Sequence, residues 1–289
     1  MPTTVCNLCE EAGTIEEADE IATALSDVRK FQHERFVVWR CHSCKSLHAK
    51  DDVDLDHYYQ DYFLHDQKPD LINRTIHRRY IKLMRRQGLG KDHAVLDYGC
   101  GNGQMVKLLR QHGYRNVTGY DRYFDDYSDP QVLETTYVAV ISCEVIEHVE
   151  DPLAFMREMA ALVRPGGLVC IATPNALGID LEKCEQFQWG VHMPFHRHIL
   201  SHEVMEPLGL RVGLEQLFLT CRNWDTLWPT MNLRFVVEYV RAAGNVVDVT
   251  VETPRIGMVL RSPRLLFFAA YGYFFSTRGT MFAVFRTES

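Results

Sequence analysis

Two cysteine pairs lie near the start of the chain, Cys6-Asn-Leu-Cys9 and Cys41-His-Ser-Cys44. A CxxC knuckle turns two thiolates toward one point, so two knuckles can complete a tetrahedral sulfur shell around a structural zinc. The knuckles are 31 residues apart, more than the about 15–20 of a compact four-cysteine site. The spacing therefore implies an enlarged ribbon with an inserted segment, and Glu16–Lys30 reads as helical. A redox role would need a thioredoxin-like βαβ pattern around one pair, and neither has it. His33, His42 and His48 could compete as ligands, but Cys6, Cys9, Cys41 and Cys44 already fill a shell. The other five cysteines, Cys100, Cys143, Cys170, Cys184 and Cys221, sit in or beside apolar segments with no basic partner and read as small buried hydrophobes.

A second constellation is Val95-Leu-Asp-Tyr-Gly-Cys-Gly-Asn-Gly-Gln104, an apolar run entering a glycine-rich turn. A dinucleotide fingerprint would place its third glycine at position 104, where this chain has Gln. The spacing is instead Gly99, Gly101, Gly103, with Asp97 two residues before the first glycine. A carboxylate there is badly placed beside an anionic pyrophosphate. It suits the methionine end of S-adenosylmethionine, which carries an ammonium and a sulfonium. The next apolar run ends at Asp121, where a carboxylate can hold the two ribose hydroxyls of either cofactor class.

Downstream come Ile141-Ser-Cys-Glu-Val-Ile-Glu-His-Val-Glu-Asp-Pro152 and Arg164-Pro-Gly-Gly-Leu-Val-Cys-Ile-Ala-Thr-Pro-Asn175. With the glycine loop, these resemble the class I S-adenosylmethionine-dependent methyltransferases, in the branch that holds the ubiquinone-type O-methyltransferases. The N-terminal part is similar to zinc-ribbon versions of that family, in which two CxxC knuckles and a YYxxxY-type segment, here Tyr58-Tyr-Gln-Asp-Tyr62, precede the catalytic domain. Some of those are sugar C-methyltransferases with a second large domain. This chain is too short for that domain, so a sugar acceptor is not carried over. The resemblance implies that Asp97, Gly99, Gly101 and Gly103 surround the methionine end, that Asp121 takes the ribose with Arg122 beside it, and that Cys143 and Glu144 lie near the cofactor. It also implies that Trp189–Ser201 faces the acceptor.

Methyl transfer from a sulfonium is an in-line displacement, so the protein must align the acceptor and remove its proton. Histidine suits that task near neutral pH. His148 follows the third strand on the rim facing the donor methyl, and His192, His196 and His198 lie in the acceptor-facing loop. Three histidines in seven residues could instead hold a metal with Glu147 or Glu203.

Positioning these groups requires alternating strands and helices. Strands are expected at Ala94–Tyr98, Val117–Asp121, Tyr137–Cys143, Leu168–Thr173, Gly213–Thr220 and Thr280–Arg286, with helices at Gly103–His112, Asp151–Val163 and His202–Leu208. That order predicts a doubly wound parallel sheet, Rossmann-like, with its site beyond the strands' C-terminal ends. At roughly 150 residues per domain, 289 residues suggest two units: a ribbon with its acidic linker over 1–66, and a catalytic domain over 67–289. The latter carries an aromatic insertion at about 222–279. Its run Leu265–Phe275 is too short to span a bilayer and reads as core helices or a hydrophobic lid rather than a membrane-surface anchor.

Charge narrows the partners. The net charge of −7 opposes general nucleic-acid binding, and residues 1–66 alone carry fourteen acidic against six basic side chains. Asp70–Gln87 reads as an amphipathic helix with Ile72, Ile76, Tyr80, Leu83 and Met84 on one face. Its other face, Arg74 to Arg86, is basic and expected to pair with the acidic ribbon. An odd nine cysteines and the lack of a signal sequence or membrane span point to a reducing, cytoplasmic setting. The function expected is methyl transfer to a small-molecule acceptor, on oxygen ahead of nitrogen or carbon. An RNA or protein methyltransferase recruiting through helix 74–86, or a non-catalytic cofactor-binding protein, are the alternatives. Neither the acceptor nor the oligomeric state is written in the sequence.

Overall fold

The computed structural model describes residues 3–59, 71–222, 224–230 and 232–288. The Tyr62 of the expected YYxxxY segment and the 66/67 boundary lie outside them. The ribbon begins with β1 (Glu20–Leu25), β2 (Arg35–Arg40) and β3 (Leu47–Ala49), an antiparallel meander. The helix expected over Glu16–Lys30 is absent: single helical turns at Ile15–Glu17 and Arg29–Phe31 flank β1. Pairing of Glu20 to Leu25 with Arg40 to Arg35 across the hairpin satisfies the backbone, and that tertiary gain overrides the local helix preference of its Ala, Glu and Leu. α1 (Leu55–Tyr59) closes this part.

α2 (Leu71–Arg86) forms where the apolar stripe predicts a helix, burying Ile76, Tyr80, Leu83 and Met84. The catalytic half then runs β4 (Ala94–Tyr98), α3 (Gln104–Gln111), β5 (Asn116–Tyr120), β6 (Tyr137–Cys143), α4 (Pro152–Ala161), β7 (Val163–Pro174), β8 (His198–Ile199), α5 (His202–Leu210) and β9 (Leu214–Thr220). The insertion contributes α6 (Leu233–Ala243), α7 (Ile256–Arg261) and α8 (Pro263–Tyr271), and β10 (Thr280–Thr287) follows. α4 starts as its sequence dictates, with the Asp151 carboxylate accepting from the Leu153 and Ala154 amides and Pro152 needing no partner.

The main sheet has six strands in the order β5-β4-β6-β7-β10-β9. Five run in one direction and β10 alone is antiparallel, to both of its neighbours β7 and β9, so the sheet is mixed rather than wholly parallel. Returning from the insertion, β10 slots between β7 and β9, with α6, α7 and α8 lying between it and β9 in the chain. Alternation along β7 and β10 sends Val169, Ile171, Ala283 and Phe285 to one face and Cys170, Ala172, Phe282 and Val284 to the other. The first face packs on α4, α5 and the ribbon residues Cys6, Leu8, Trp39 and Cys41. The second packs on α2 and α3, where Tyr80 stacks on Phe282 at 4.5 Å. Both faces are covered, as a doubly wound sheet requires.

That layout corrects one expectation about charge. α2 and the ribbon lie on opposite faces of the sheet, so the basic face of α2 does not pair with the acidic ribbon. Among the described residues Arg74, Arg78, Lys82, Arg85 and Arg86 are exposed and form no ion pair. The ribbon is instead stitched to the catalytic half by β3 on β8, with Leu47 opposite Ile199 and His48 opposite His198.

Candidate functional site

At the C-terminal end of β4 the chain must turn sharply into α3, and Gly99, Gly101 and Gly103 all adopt left-handed φ, at 75°, 52° and 76°. Any other residue would be strained there. A Cβ on Gly99 would also meet Val145 Cγ2 at 2.3 Å, and one on Gly103 would meet the Tyr127 hydroxyl at 2.1 Å. The loop is tied to the tip of β5: the Gly101 amide donates to Asp121 Oδ2 at 2.8 Å, and the Tyr123 amide to Oδ1 at 2.9 Å. Asp121 thus shapes the loop while remaining partly exposed, and Arg122 beside it is exposed.

Asp97 is buried at the end of β4. Burial, then the nearby Asp121 charge, pushes its carboxyl up to about 7. Cys143 at the end of β6 is driven well above the usual thiol range by burial and by the Asp97 and Glu144 carboxylates. Of the five lone cysteines read as buried hydrophobes, Cys170 and Cys184 are buried, while Cys100, Cys143 and Cys221 are half-buried. The eight residues expected around the cofactor therefore occupy the tips of three adjacent strands, β5, β4 and β6.

Glu144 opens the next layer. It has a left-handed φ of 57°, a costly conformation for a non-glycine residue and one that clusters at functional sites. Three residues on, Glu147 is fully buried: Thr173 Oγ1 donates to its Oε2 at 2.9 Å, and Oε1 lies 4.0 Å from His196 Nε2. Burial pushes Glu144 up to about 7 and Glu147 well above the carboxylate range, the latter also raised by Glu144. Burial disfavours the charged form of both carboxyls, and a charge on Glu144 disfavours one on Glu147 further.

The three candidate histidines come together here. The His148 and His196 rings are 4.7 Å apart, and those of His192 and His196 5.1 Å. His148 Nδ1 donates to the Phe195 carbonyl at 3.1 Å and lies 3.0 Å from the Tyr59 hydroxyl, while His196 Nδ1 donates to the Gly190 carbonyl at 2.6 Å. A carbonyl only accepts, so both rings carry their proton on Nδ1 and present a bare Nε2. Burial lowers His148 to about 3 and His196 well below its ordinary value, which keeps both neutral. Gly190 makes the close approach possible, since a Cβ there would meet Pro174 at 2.6 Å. The Glu147, His148 and His196 ligand atoms all lie within 4.8 Å of one another. His198 is not part of this group: it faces the ribbon, 3.0 Å from His48 Nδ1.

Sequence reasoning missed Asp27. It reaches from the ribbon, 165 residues away, to hold His192 Nδ1 at 2.8 Å in a buried pair. No local signal could have found it. Glu147 had a signal, the Glu-x-x-Glu-His run at the end of a strand, which puts two carboxyls and an imidazole on one short turn.

The four knuckle cysteines also converge. Sγ separations are 3.5 Å for Cys6 to Cys9, 3.6 Å for Cys6 to Cys44 and 3.9 Å for Cys9 to Cys41, and all four sulfurs lie within 4.8 Å of one another. Zinc–sulfur bonds of about 2.3 Å in a tetrahedron require edges of about 3.8 Å, so the donor set fits zinc. The Cys44 thiol is lowered to about 3, first by the hydrogen bond from Cys6 and then by those from His48 and Ser46.

A glycine loop at the tip of β4, a carboxylate at the tip of β5 and a polar cluster after β6, on a mixed doubly wound sheet, define a class I S-adenosylmethionine-dependent methyltransferase. Residues 72–216, half of the chain, match the family model described as a methyltransferase domain, and the chain belongs to that family. Relatives include the ubiquinone biosynthesis O-methyltransferases of Parvibaculum lavamentivorans, 31% identical over 29% of this chain and 42% of that one, and of Maricaulis maris, 30% identical over 42% and 57%. The chain thus spans about half the length of the curated relatives it matches. Similar solved structures include the 1,6-didemethyltoxoflavin-N1-methyltransferase of Burkholderia thailandensis, 13% identical with a TM-score of 0.46 over 86% of this chain and 98% of that one. The N-methyltransferase NodS of Bradyrhizobium japonicum is 14% identical, with a TM-score of 0.42 over 81% and 96%.

Proposed function

We propose that the protein transfers the methyl group of S-adenosylmethionine to a small-molecule acceptor, on oxygen ahead of nitrogen or carbon. The observation that carries this reading is the set of carboxyls at the strand tips. Asp97 and Glu144 are both held near 7 by burial, in a site otherwise supplied with glycine amides and Asp121. Such a site gains most from a cationic ligand, and the cofactor supplies a methyl group on a sulfonium. Asp97 would face the ammonium of the methionine end, Asp121 the ribose hydroxyls, and the backbone at Cys143 and Glu144 the cofactor's flank. O-methylation is supported by the relatives' printed activity and by the neutral imidazoles, which can accept the acceptor hydroxyl's hydrogen bond and take its proton once the methyl group bonds to the oxygen and makes it acidic. His196 and His148 offer bare Nε2 atoms, and Asp27 fixes His192 from the ribbon, which makes the ribbon a wall of the acceptor site. The four knuckle cysteines would hold one structural zinc.

A second reading of the base follows from Glu147, His148 and His196. Two neutral nitrogens oriented through their Nδ1 protons and one carboxylate form a donor set for a divalent cation, which would lower the acceptor hydroxyl's pKa. The odd count of nine cysteines supports a reducing cellular setting.

Labelled S-adenosylmethionine with a panel of phenols, catechols and amines tests the proposal. Label should enter a phenolic oxygen, and His196→Ala should lower the rate by about a hundredfold, within the usual range for a lost general base. Label appearing only in RNA or protein would overturn it. Chelation with rescue by a divalent ion separates the cation from a histidine base.

A further inference from the structure

The insertion divides into an inner and an outer layer. α6 turns Leu233, Val236, Val237 and Val240 inward against Phe187 and Phe195, whereas the run Leu265–Phe275, expected as core helices or a lid, buries only Leu265, Ala269 and Gly272. The outer pair α7–α8 touches α6 through Leu265 and Ala269 against Phe235. Ile256, Leu260, Phe267, Tyr271, Phe274 and Phe275 are 45–70% exposed. Ring contacts of 5.4 Å from Phe267 to Tyr271 and 5.5 Å to Phe275 join three of these into one aromatic cluster, with Ile256 and Leu260 on α7, which packs against α8; clustered exposed apolar side chains of this kind mark interaction surfaces.

Its charge is as one-sided as its hydrophobicity. Residues 253–279 hold four arginines and no acidic residue, in a chain of net charge −7. Among the described residues Arg261 is exposed and forms no ion pair, and Arg264 is two-thirds exposed even while bonded to Glu238. The unpaired basic face of α2 adjoins the same insertion, since Ile72 and Ile76 line a crevice with Trp224 and Val236.

We propose that the α7–α8 face docks on the surface of a membrane that carries anionic lipids. The aromatic side chains enter the boundary between headgroups and acyl chains, and the arginines meet lipid phosphates. No helix among the described residues is long and apolar enough to cross a membrane, so the chain lies on the bilayer. A second copy is the poorer occupant. A twofold pairing brings the same patch onto itself, setting arginines against arginines with no acidic residue between 253 and 279 to answer them.

The test is flotation of the full chain with vesicles of phosphatidylcholine alone or mixed with phosphatidylglycerol, at low and high salt. Binding should be at least tenfold stronger to the anionic vesicles and weaken with salt. The double variant Leu260→Glu/Phe274→Glu should lose at least tenfold in binding with melting and cofactor affinity unchanged, and Arg261→Glu/Arg78→Glu should abolish the preference for anionic lipid. Equal flotation with both vesicle types, or none with either, overturns the proposal. So does a dimer in sedimentation velocity that Leu260→Glu/Phe274→Glu dissociates in the absence of vesicle binding.

Discussion

Two convergent clusters of metal-capable side chains lie among the described residues, and they are built oppositely. Cys6, Cys9, Cys41 and Cys44 offer four soft sulfurs within a small meander, a closed set with no position left for a reactant. Glu144, Glu147, His148 and His196 offer oxygens and nitrogens at the end of β6, with Nδ1 protons spent on backbone carbonyls and Nε2 atoms bare. The first cluster has enough ligands to hold a fold together. The second is incomplete as a shell and strained at Glu144, which are properties of a place where something else must bind. Cysteine count and histidine count are therefore poor guides on their own, and what each donor still lacks is the better one.

Breaking the sulfur cluster should have the largest effect. Cys41→Ser is expected to remove the zinc and melt the ribbon, because structural zinc contributes on the order of 10 kcal/mol of folding free energy. Since β3 pairs with β8, the loss should spread to the His192–His196 loop. Metal analysis and thermal melting check this, and a zinc-free variant that melts with the wild type would undo the structural assignment. Glu147→Gln should behave in the opposite way: it keeps the volume and the acceptor for Thr173 and replaces a carboxyl that burial already holds protonated, so stability should change by less than about 1 kcal/mol while kcat/KM falls at least a hundredfold.

A smaller effect concerns pH. The folded Asp97 carboxyl sits near 7 against an unfolded value of 3.8. Its favourable contribution to stability is therefore present below pH ~4 and is lost as pH rises through about 7. Cofactor affinity should run the other way, rising through that window as the carboxylate forms, and binding near pH 6 should take up buffer-dependent heat from proton release. Asp97→Asn should flatten both profiles. The least effect is expected from His42→Ala. His42 is exposed beside Asp19, so stability should change by less than about 1 kcal/mol and zinc content not at all, which would settle that histidine does not compete with the four cysteines.

Much of this was legible because it is local. The glycine loop, Asp121 and the strands at β4 and β6 follow from spacing and apolar runs that the chain states within ten residues. β1 was not legible, because its partner β2 decides its conformation. The antiparallel β10 depends on where the insertion returns, and the pairing of Asp27 with His192 joins residues that share no pattern. Basic α2 misled for the same reason: opposite charges in sequence do not meet when a sheet lies between them.

Titration calorimetry with S-adenosylmethionine and S-adenosylhomocysteine bears most directly on the central claim that the glycine loop and strand-tip carboxyls form a cofactor site. One saturable site per chain, weakened at least tenfold by Asp121→Ala and by Gly101→Val, is the expected result. A zinc-replete, folded protein that binds neither ligand would contradict the claim.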